Sequence, residues 1–285
     1  MTSRTSDQRR TQALPPVAAL EAFRATVWAF FRERRREMPW RECDDAYAVL
    51  VSEVMLQQTQ VSRVLARWAE WMDAFPTIDA LAAAPLAVVL ERWQGLGYNR
   101  RAVALKRCAV EVVERFGGRL PEDATVLRGL PGIGPATAAA VVNYAYRIPA
   151  PFIETNVRAV FLHHFFADAV DVPDAELMPV VEASWDRDDP RGWGYALMDY
   201  GAWLKSRVPN PSRRSRHHTR QSPFEGSRRQ KRARLLRAVM GQPGRSGGDY
   251  AADVRLDVGV ASELLEELEA EGFLARTGET WVVAD

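Results

Sequence analysis

Apolar residues recur at helical spacing along most of the chain. A first stripe, from Leu20 to Phe31, predicts a helix that begins near Val17 and ends near Arg36. Between residues 45 and 170, amphipathic segments alternate with glycine and proline breakers, which predicts a series of short helices. No stretch before the C-terminal region alternates with period two for long enough to indicate a strand. The pattern therefore predicts an all-α core.

A different pattern begins near residue 229. Three short helical stripes come first, and the third is expected to turn Leu264, Leu265 and Leu268 inward. Residues 273–283 then predict two strands joined by a tight turn at Thr277-Gly278. Three helices and a hairpin predict a winged-helix-like module. Its third helix is too acidic to read DNA, because phosphates repel carboxylates, so we expect a packing or protein-contact role. The acidic residues are Glu263, Glu266, Glu267, Glu269 and Glu271.

The pattern divides the chain into four segments. They are a disordered tail at 1–16, a helical core at 17–204, a basic segment at 205–228 and the C-terminal module at 229–285. The basic segment, here called the arginine strap, is rich in arginine and proline. It is either a solvated linker or a phosphate-contacting surface formed by Arg213, Arg214 and Arg216.

Composition narrows the classes of function. The net charge of 285 residues is +1, so only the distribution of charge can indicate nucleic acid. Two cysteines, Cys43 and Cys108, exclude a disulfide framework and a four-cysteine metal site. His217-His218 is expected to be an exposed polar pair. The N-terminus lacks the apolar stretch of a secretion signal, and no apolar run reaches membrane-spanning length. We expect a cytoplasmic, nucleoid-associated monomer that does not contact membranes.

Glu53 is a carboxyl group within an apolar helical run. Residues 46–56 are otherwise almost entirely apolar, with Leu50 and Val54 on one stripe. Burying the ion there is costly and favours the protonated form, which can serve as a general acid. A glutamate on the solvent side of an amphipathic helix is the alternative.

Residues 130–134, with the sequence LPGIG, are typical of a helix-hairpin-helix turn. Gly132 and Gly134 allow the backbone to approach a ligand closely, and the following helix start, with Thr137, can direct amide groups at a phosphate. The hairpin carbonyls are expected to hold a monovalent cation.

A glycine turn at 95–97 precedes Tyr98, Arg100 and Arg101. Tyr98 could insert into a base stack while Arg100 and Arg101 hold phosphates. The alternative is that the turn merely caps one helix and starts the next.

A second carboxylate, Glu154, follows an apolar segment and precedes a helix stripe. It could be catalytic, a helix N-terminal acid, or incidental beside a Thr155 cap.

Together these strings resemble the helix-hairpin-helix (HhH-GPD) DNA glycosylases over about residues 20–205. The string SEVMLQQTQV at 52–61 is most similar to the MutY-type adenine DNA glycosylases, and the motifs at 95–98, 130–134 and 196–202 follow in the family's order. The resemblance implies a core of two helical subdomains and a double-stranded DNA partner carrying a mismatch or lesion. It also implies that Glu53 protonates a flipped adenine and that Glu154 steadies the cationic sugar. Gln57, Gln58 and Tyr98 would enter the duplex.

The sequence departs from that family at several positions. Ala136 occupies the position of the Schiff-base lysine of endonuclease III, which predicts an enzyme without β-lyase activity. The iron–sulfur cysteines are replaced, so no cluster is expected; their positions correspond to Lys205, Ser212, Ser215 and Gln221. Glu154 stands in place of an aspartate. The C-terminal module is too short for the Nudix-like domain that recognises 8-oxoguanine.

The expected function is monofunctional excision of a base in base excision repair, with adenine opposite 8-oxoguanine or guanine first. A glycosylase for another lesion is one alternative, and a non-catalytic lesion sensor is another.

Overall fold

A computed structural model describes residues 13–218 and 223–285. Most of the predicted tail and residues Arg220 and Gln221 of the strap lie outside these ranges. The first part of the described chain is helical; its elements are α1 (Val17–Arg34), a 3-10 turn (Pro39–Arg41), α2 (Ala46–Leu56), α3 (Val61–Ala74), α4 (Ile78–Ala83), α5 (Leu86–Arg92), α6 (Arg100–Phe116), α7 (Ala124–Leu127), α8 (Pro135–Ala145), α9 (Thr155–His164), α10 (Asp174–Ser184), α11 (Pro190–Arg207) and a second 3-10 turn (Pro211–Arg214).

The C-terminal module contains three helices and a small sheet, so the predicted all-α core with a winged-helix-like module is confirmed. Its elements are α12 (Arg228–Gly241), β1 (Arg245–Ser246), α13 (Gly247–Asp253), α14 (Val258–Ala270), β2 (Leu274–Thr277) and β3 (Thr280–Val283). The antiparallel sheet has the order β1-β3-β2, and Thr277 pairs with Thr280. The tight turn therefore lies at Gly278-Glu279, one residue after the predicted position.

The described chain forms two compact units. One comprises residues 13–44 and 138–218, and the other comprises residues 45–137 and 223–285. The C-terminal module thus shares a unit with α2 to α7, and the division along the chain falls within α8. We call these the N-terminal–α11 unit and the α2–module unit.

Aromatic packing and one buried ion pair hold the N-terminal–α11 unit together. Phe23 of α1 makes edge contacts with Phe161 and with Trp193 of α11. Asp199 is buried and accepts hydrogen bonds from both terminal nitrogens of Arg41, at 2.9 and 2.8 Å. Because a buried carboxylate needs partners, this pair anchors the Pro39–Arg41 turn to α11.

The α2–module unit has a core of large apolar side chains. Trp71 of α3 packs against Trp93, which follows α5, with ring centroids 5.3 Å apart. In the module, Leu264 and Leu268 of α14 are buried, as the stripe predicted. None of the helices described here has both the length and the apolar character required to cross a membrane.

Candidate active site

Glu53 is the one charged residue of α2. The helix begins at Asp45, whose carboxylate accepts from the amides of Tyr47 and Ala48 at 3.1 and 3.3 Å. Eight of the eleven residues of α2 are buried. Glu53 is half-buried within it, near the C-terminal end. A carboxyl group thus lies at the boundary between an apolar core and solvent, where a proton donor can reach a substrate.

The loop after α2 has the conformation of a protruding turn. Gln58 is exposed and has a left-handed backbone with φ of 55°. Gln57 instead donates from Nε2 to Thr137 Oγ1, at 3.1 Å, which links this loop to the start of α8. The structure therefore brings three of the predicted DNA-binding residues together.

Arg101 connects the loop after α2 with the glycine turn before α6. Its Nη1 donates to the carbonyls of Val54 and Met55, both at 2.8 Å, and of Gln57 at 2.5 Å. Its Nη2 donates to Thr59 Oγ1 at 2.9 Å and also reaches the carbonyls of Leu96 and Gly97, at 3.2 and 3.0 Å. Burial lowers the pKa of Arg101 to about 10. Six acceptors give this guanidinium a structural role in place of the expected phosphate contact.

Arg100 and Tyr98 contact the C-terminal module. Arg100 makes a bidentate ion pair with Glu271, with Nε 2.7 Å from Oε2. The pair holds the pKa of the Glu271 carboxyl below its usual range. Tyr98 accepts a hydrogen bond from Arg229 Nη1 at 2.8 Å, and its side chain stays exposed. Arg100 therefore has a carboxylate partner where the sequence predicted a phosphate.

The LPGIG hairpin joins α7 to α8 as predicted. Gly132 has φ of 76°, and a Cβ there would lie 2.7 Å from Ala104 Cβ of α6. At Gly134 a Cβ would meet nothing within 4 Å. An open cavity of about 190 Å³ lies beside the hairpin; it is lined by Val54, Gln57, Arg100, Arg101, Ala104, Leu105, Pro131 and Gly132.

The two glycines should respond differently to substitution by alanine. Gly132→Ala is expected to destabilise the protein by about 1–3 kcal/mol, because it adds a clash to a left-handed backbone. Gly134→Ala should leave the free energy of unfolding within about 0.5 kcal/mol and weaken duplex binding, since the methyl group obstructs close approach of a phosphate. Urea unfolding and binding titrations with duplex DNA measure both. Equal loss of stability in the two variants would contradict this assignment.

Glu154 is the N-cap of α9 in the N-terminal–α11 unit. Its Oε1 accepts from the amides of Asn156 and Val157 at 2.5 and 2.8 Å, and its Oε2 accepts from Asn156 Nδ2 at 3.1 Å. The alternative of a Thr155 cap is therefore wrong. Burial raises the pKa of Glu154, while the two amides and the positive charge of Lys205 act in the opposite direction. The cap fixes the carboxylate at a helix N-terminus, where negative charge is stabilised.

Two neighbouring contacts hold the first turn of α9. A Cβ on Gly201 of α11 would lie 2.5 Å from the carbonyl oxygen of Asn156, so glycine allows the two helices to approach. Ser212 Oγ donates to the carbonyl of Thr155 at 3.0 Å. This hydrogen bond joins the arginine strap to the turn that carries Glu154.

The strap arginines have three different environments. Arg214 donates to the carbonyls of Leu162, Phe166 and Ala167 and so caps the end of α9. Arg216 pairs with Asp171 at 2.9 Å. Arg213 is exposed. Of the three predicted DNA contacts, Arg214 thus has a structural role, while Arg213 faces solvent.

Comparison with known proteins places this chain in a family. Residues 51–179 match the model of the HhH-GPD superfamily base excision DNA repair proteins. The adenine DNA glycosylase of Mycobacterium tuberculosis is 35% identical, over 87% of this chain and 89% of that protein. That of Mycolicibacterium smegmatis is 45% identical over 50% of this chain and 49% of that protein, and the human one is 40% identical over 65% of this chain and 36% of that protein.

Solved structures share the fold. A thermostable thymine-DNA glycosylase superposes with a TM-score of 0.59 at 24% identity, over 65% of this chain and 87% of that one. An endonuclease III–DNA covalent intermediate superposes with a TM-score of 0.54 at 18% identity, over 78% of this chain and all of that one. The motifs and the relatives agree, and the chain belongs to the HhH-GPD superfamily of base excision DNA repair proteins, among the MutY-like adenine DNA glycosylases.

Proposed function

We propose that this chain is a monofunctional adenine DNA glycosylase that acts on adenine opposite 8-oxoguanine or guanine. Glu53 is the main support for this proposal. It is a half-buried carboxyl on a buried helix, and it lies in one compact unit with the Gln57–Gln58 loop and the LPGIG hairpin. The substrate class comes from the adenine DNA glycosylases to which the chain is similar. The base must leave the helical stack before a side chain can reach it.

In the proposed reaction, Glu53 in its acid form donates a proton to the purine as the glycosidic bond breaks. The bonding electrons leave with the base, and the sugar becomes an oxocarbenium-like cation. The Glu154 carboxylate stabilises that cation electrostatically. A water molecule then adds its oxygen to the sugar carbon and loses a proton to the Glu53 carboxylate, which restores the acid form. The products are free adenine and an abasic site in an intact strand.

We propose that no covalent DNA adduct forms. Ala136 occupies the position of the Schiff-base lysine, and Lys106 donates to the carbonyl of Ala82. Lys205 is half-buried, and burial lowers the pKa of its ammonium group while the charge of Glu154 opposes that shift. Incubation with substrate duplex and borohydride should yield no trapped protein–DNA band, with a β-lyase glycosylase as the positive control. A trapped band would contradict the proposal, and its loss in Lys205→Met would identify the nucleophile.

We propose that the hairpin carbonyls of residues 130–134 bind a monovalent cation and that the protein functions without an iron–sulfur cluster. The chemistry of the residues at the cluster positions supports a protein that functions without the cluster. Ser212 and Ser215 offer hydroxyl groups in place of thiolates, and Ser215 Oγ accepts from the amide of His217 at 3.0 Å. Hydroxyl groups are poor ligands for iron–sulfur clusters, which thiolates hold.

A single-turnover assay on a panel of duplexes tests the substrate. The panel contains adenine opposite 8-oxoguanine and opposite guanine, thymine and uracil opposite guanine, hypoxanthine, and alkylated bases. Strand breaks that need alkali and occur only on the adenine duplexes are expected. Cleavage of another duplex instead would replace the substrate and keep the mechanism, whereas binding without any abasic product would favour a lesion sensor.

A further inference from the structure

The C-terminal module lies against the start of α6, where the aromatic residue proposed to enter DNA is located. Arg229, in the first turn of α12, donates from Nη1 to Tyr98 Oη at 2.8 Å, and its guanidinium carbon is 5.7 Å from the centre of the Tyr98 ring. Glu271, which follows α14, binds both Arg100 and Arg232. The module is thus attached to this loop through a ring hydroxyl and a shared carboxylate.

Tyr98 has a backbone conformation that bulky residues rarely adopt. Its φ is 49°, in the left-handed region. Such conformations persist where the surroundings fix them, and they concentrate at functional sites. Arg101 fixes the preceding turn through the carbonyls of Leu96 and Gly97, and its guanidinium carbon is 5.6 Å from the ring centre. Arg229 holds the hydroxyl group at the end of the Tyr98 side chain, and Tyr98 remains 36% exposed.

Complementary charge keeps α12 in this position. Glu263 and Glu267 of α14 accept from Arg228, and Glu267 and Glu271 accept from Arg232. Acidic residues spaced four apart on one helix therefore meet basic residues spaced four apart on the other. The acidic residues that make α14 unsuitable for reading DNA therefore bind α12. As a result, α12 places Arg229 against Tyr98.

We propose that Arg229 is a positioning residue that orients the Tyr98 ring for insertion beside the base opposite the excised one. The module would thereby contribute to discrimination of the opposing base. This inference rests on the proposed glycosylase function. Orienting a side chain before binding removes part of the entropy cost of insertion, which corresponds to about two- to tenfold in rate or affinity for one such side chain.

A double-mutant cycle separates positioning from direct phosphate binding. Tyr98→Phe keeps the ring and removes the hydroxyl that accepts from Arg229, and Arg229→Met removes the donor. If Arg229 acts through Tyr98, each change should reduce the preference for 8-oxoguanine over guanine opposite adenine by about two- to tenfold, and the double variant should lose no more than either single variant. Arg229→Lys, which retains a donor, should restore part of the preference.

The measurements are single-turnover adenine release and the fluorescence of 2-aminopurine placed next to the opposing base, which reports ring insertion. Arg237→Met removes an exposed charge from the same helix and serves as the matched control. Additive losses in the double variant would overturn the proposal in favour of a phosphate contact. The same conclusion would follow if Arg229→Met alone lowered the slope of log duplex affinity against log salt concentration by about one. Unchanged discrimination with active enzyme would also overturn it. If the wild type released no adenine, the proposed function would fail. The 2-aminopurine fluorescence of the wild type, the two single variants and the double variant would still decide whether Arg229 orients Tyr98.

Discussion

Replacing Glu53 by glutamine is expected to reduce single-turnover release of adenine by about 10²–10⁴-fold, the usual contribution of a positioned general acid. Glutamine has almost the same shape and cannot donate the proton that the departing purine needs. The substitution removes the one charged residue of α2 and adds no charge to its apolar surroundings. The affinity for substrate duplex should change by less than about threefold, since the side chain acts mainly in the transition state.

The control for this variant is Glu91→Gln, which removes an exposed carboxylate from α5 in the same unit. It should keep the wild-type rate. A Glu53→Gln protein that released adenine at near the wild-type rate would show that another group is the acid. A parallel loss of duplex affinity and activity would instead indicate that Glu53 has a binding role.

Glu154 should give the second large effect, and its role as an N-cap dictates the choice of variant. Glu154→Asn keeps a side chain that caps helices well and removes the negative charge. We expect a loss of about 10²–10³-fold in adenine release, because the cationic sugar loses its counter-charge. Stability should stay within about 1 kcal/mol of the wild type, since asparagine can still accept from the amides of Asn156 and Val157.

Two companion variants make this result interpretable. Glu154→Asp should retain activity within about tenfold and test the effect of the extra methylene, and Glu182→Gln removes an exposed carboxylate from the same unit. The rate of the wild type should fall as the pH drops through the pKa of Glu154, because the carboxylate is the active form. Burial raises that pKa, so the loss should begin at a higher pH than for an ordinary glutamate. A Glu154→Asn protein with the wild-type rate and pH profile would contradict an electrostatic role.

The local parts of the structure could be predicted from the sequence. The apolar spacing of residues 46–56 indicated a helix with one isolated carboxyl, and that is how α2 is built. The LPGIG string indicated a hairpin, and the stripe containing Leu264 and Leu268 indicated the inner face of α14. These features follow from short-range periodicity and turn chemistry, which a single sequence records.

Partners distant in sequence were missed. Arg101 and Arg214 were interpreted as phosphate contacts, but both donate to main-chain carbonyls, because an arginine near a helix end satisfies exposed acceptors there. The Arg100–Glu271 pair joins residues 171 positions apart, which no local pattern reveals. The sequence did contain one signal of a long-range contact. Glu263, Glu267 and Glu271 are spaced four apart, and so are Arg228 and Arg232. Complementary stripes of this kind indicate two helices that pack together.

Hydrolytic excision by Glu53 and Glu154 is tested most directly by the release of free adenine from a duplex with adenine opposite 8-oxoguanine. Release is measured under single-turnover conditions together with strand breakage before and after alkali. We expect one adenine released per duplex, breakage only after alkali, and loss of both signals in Glu53→Gln and Glu154→Asn. Breakage without alkali, or adenine release that persists in both variants, would contradict hydrolytic excision by these two carboxyl groups.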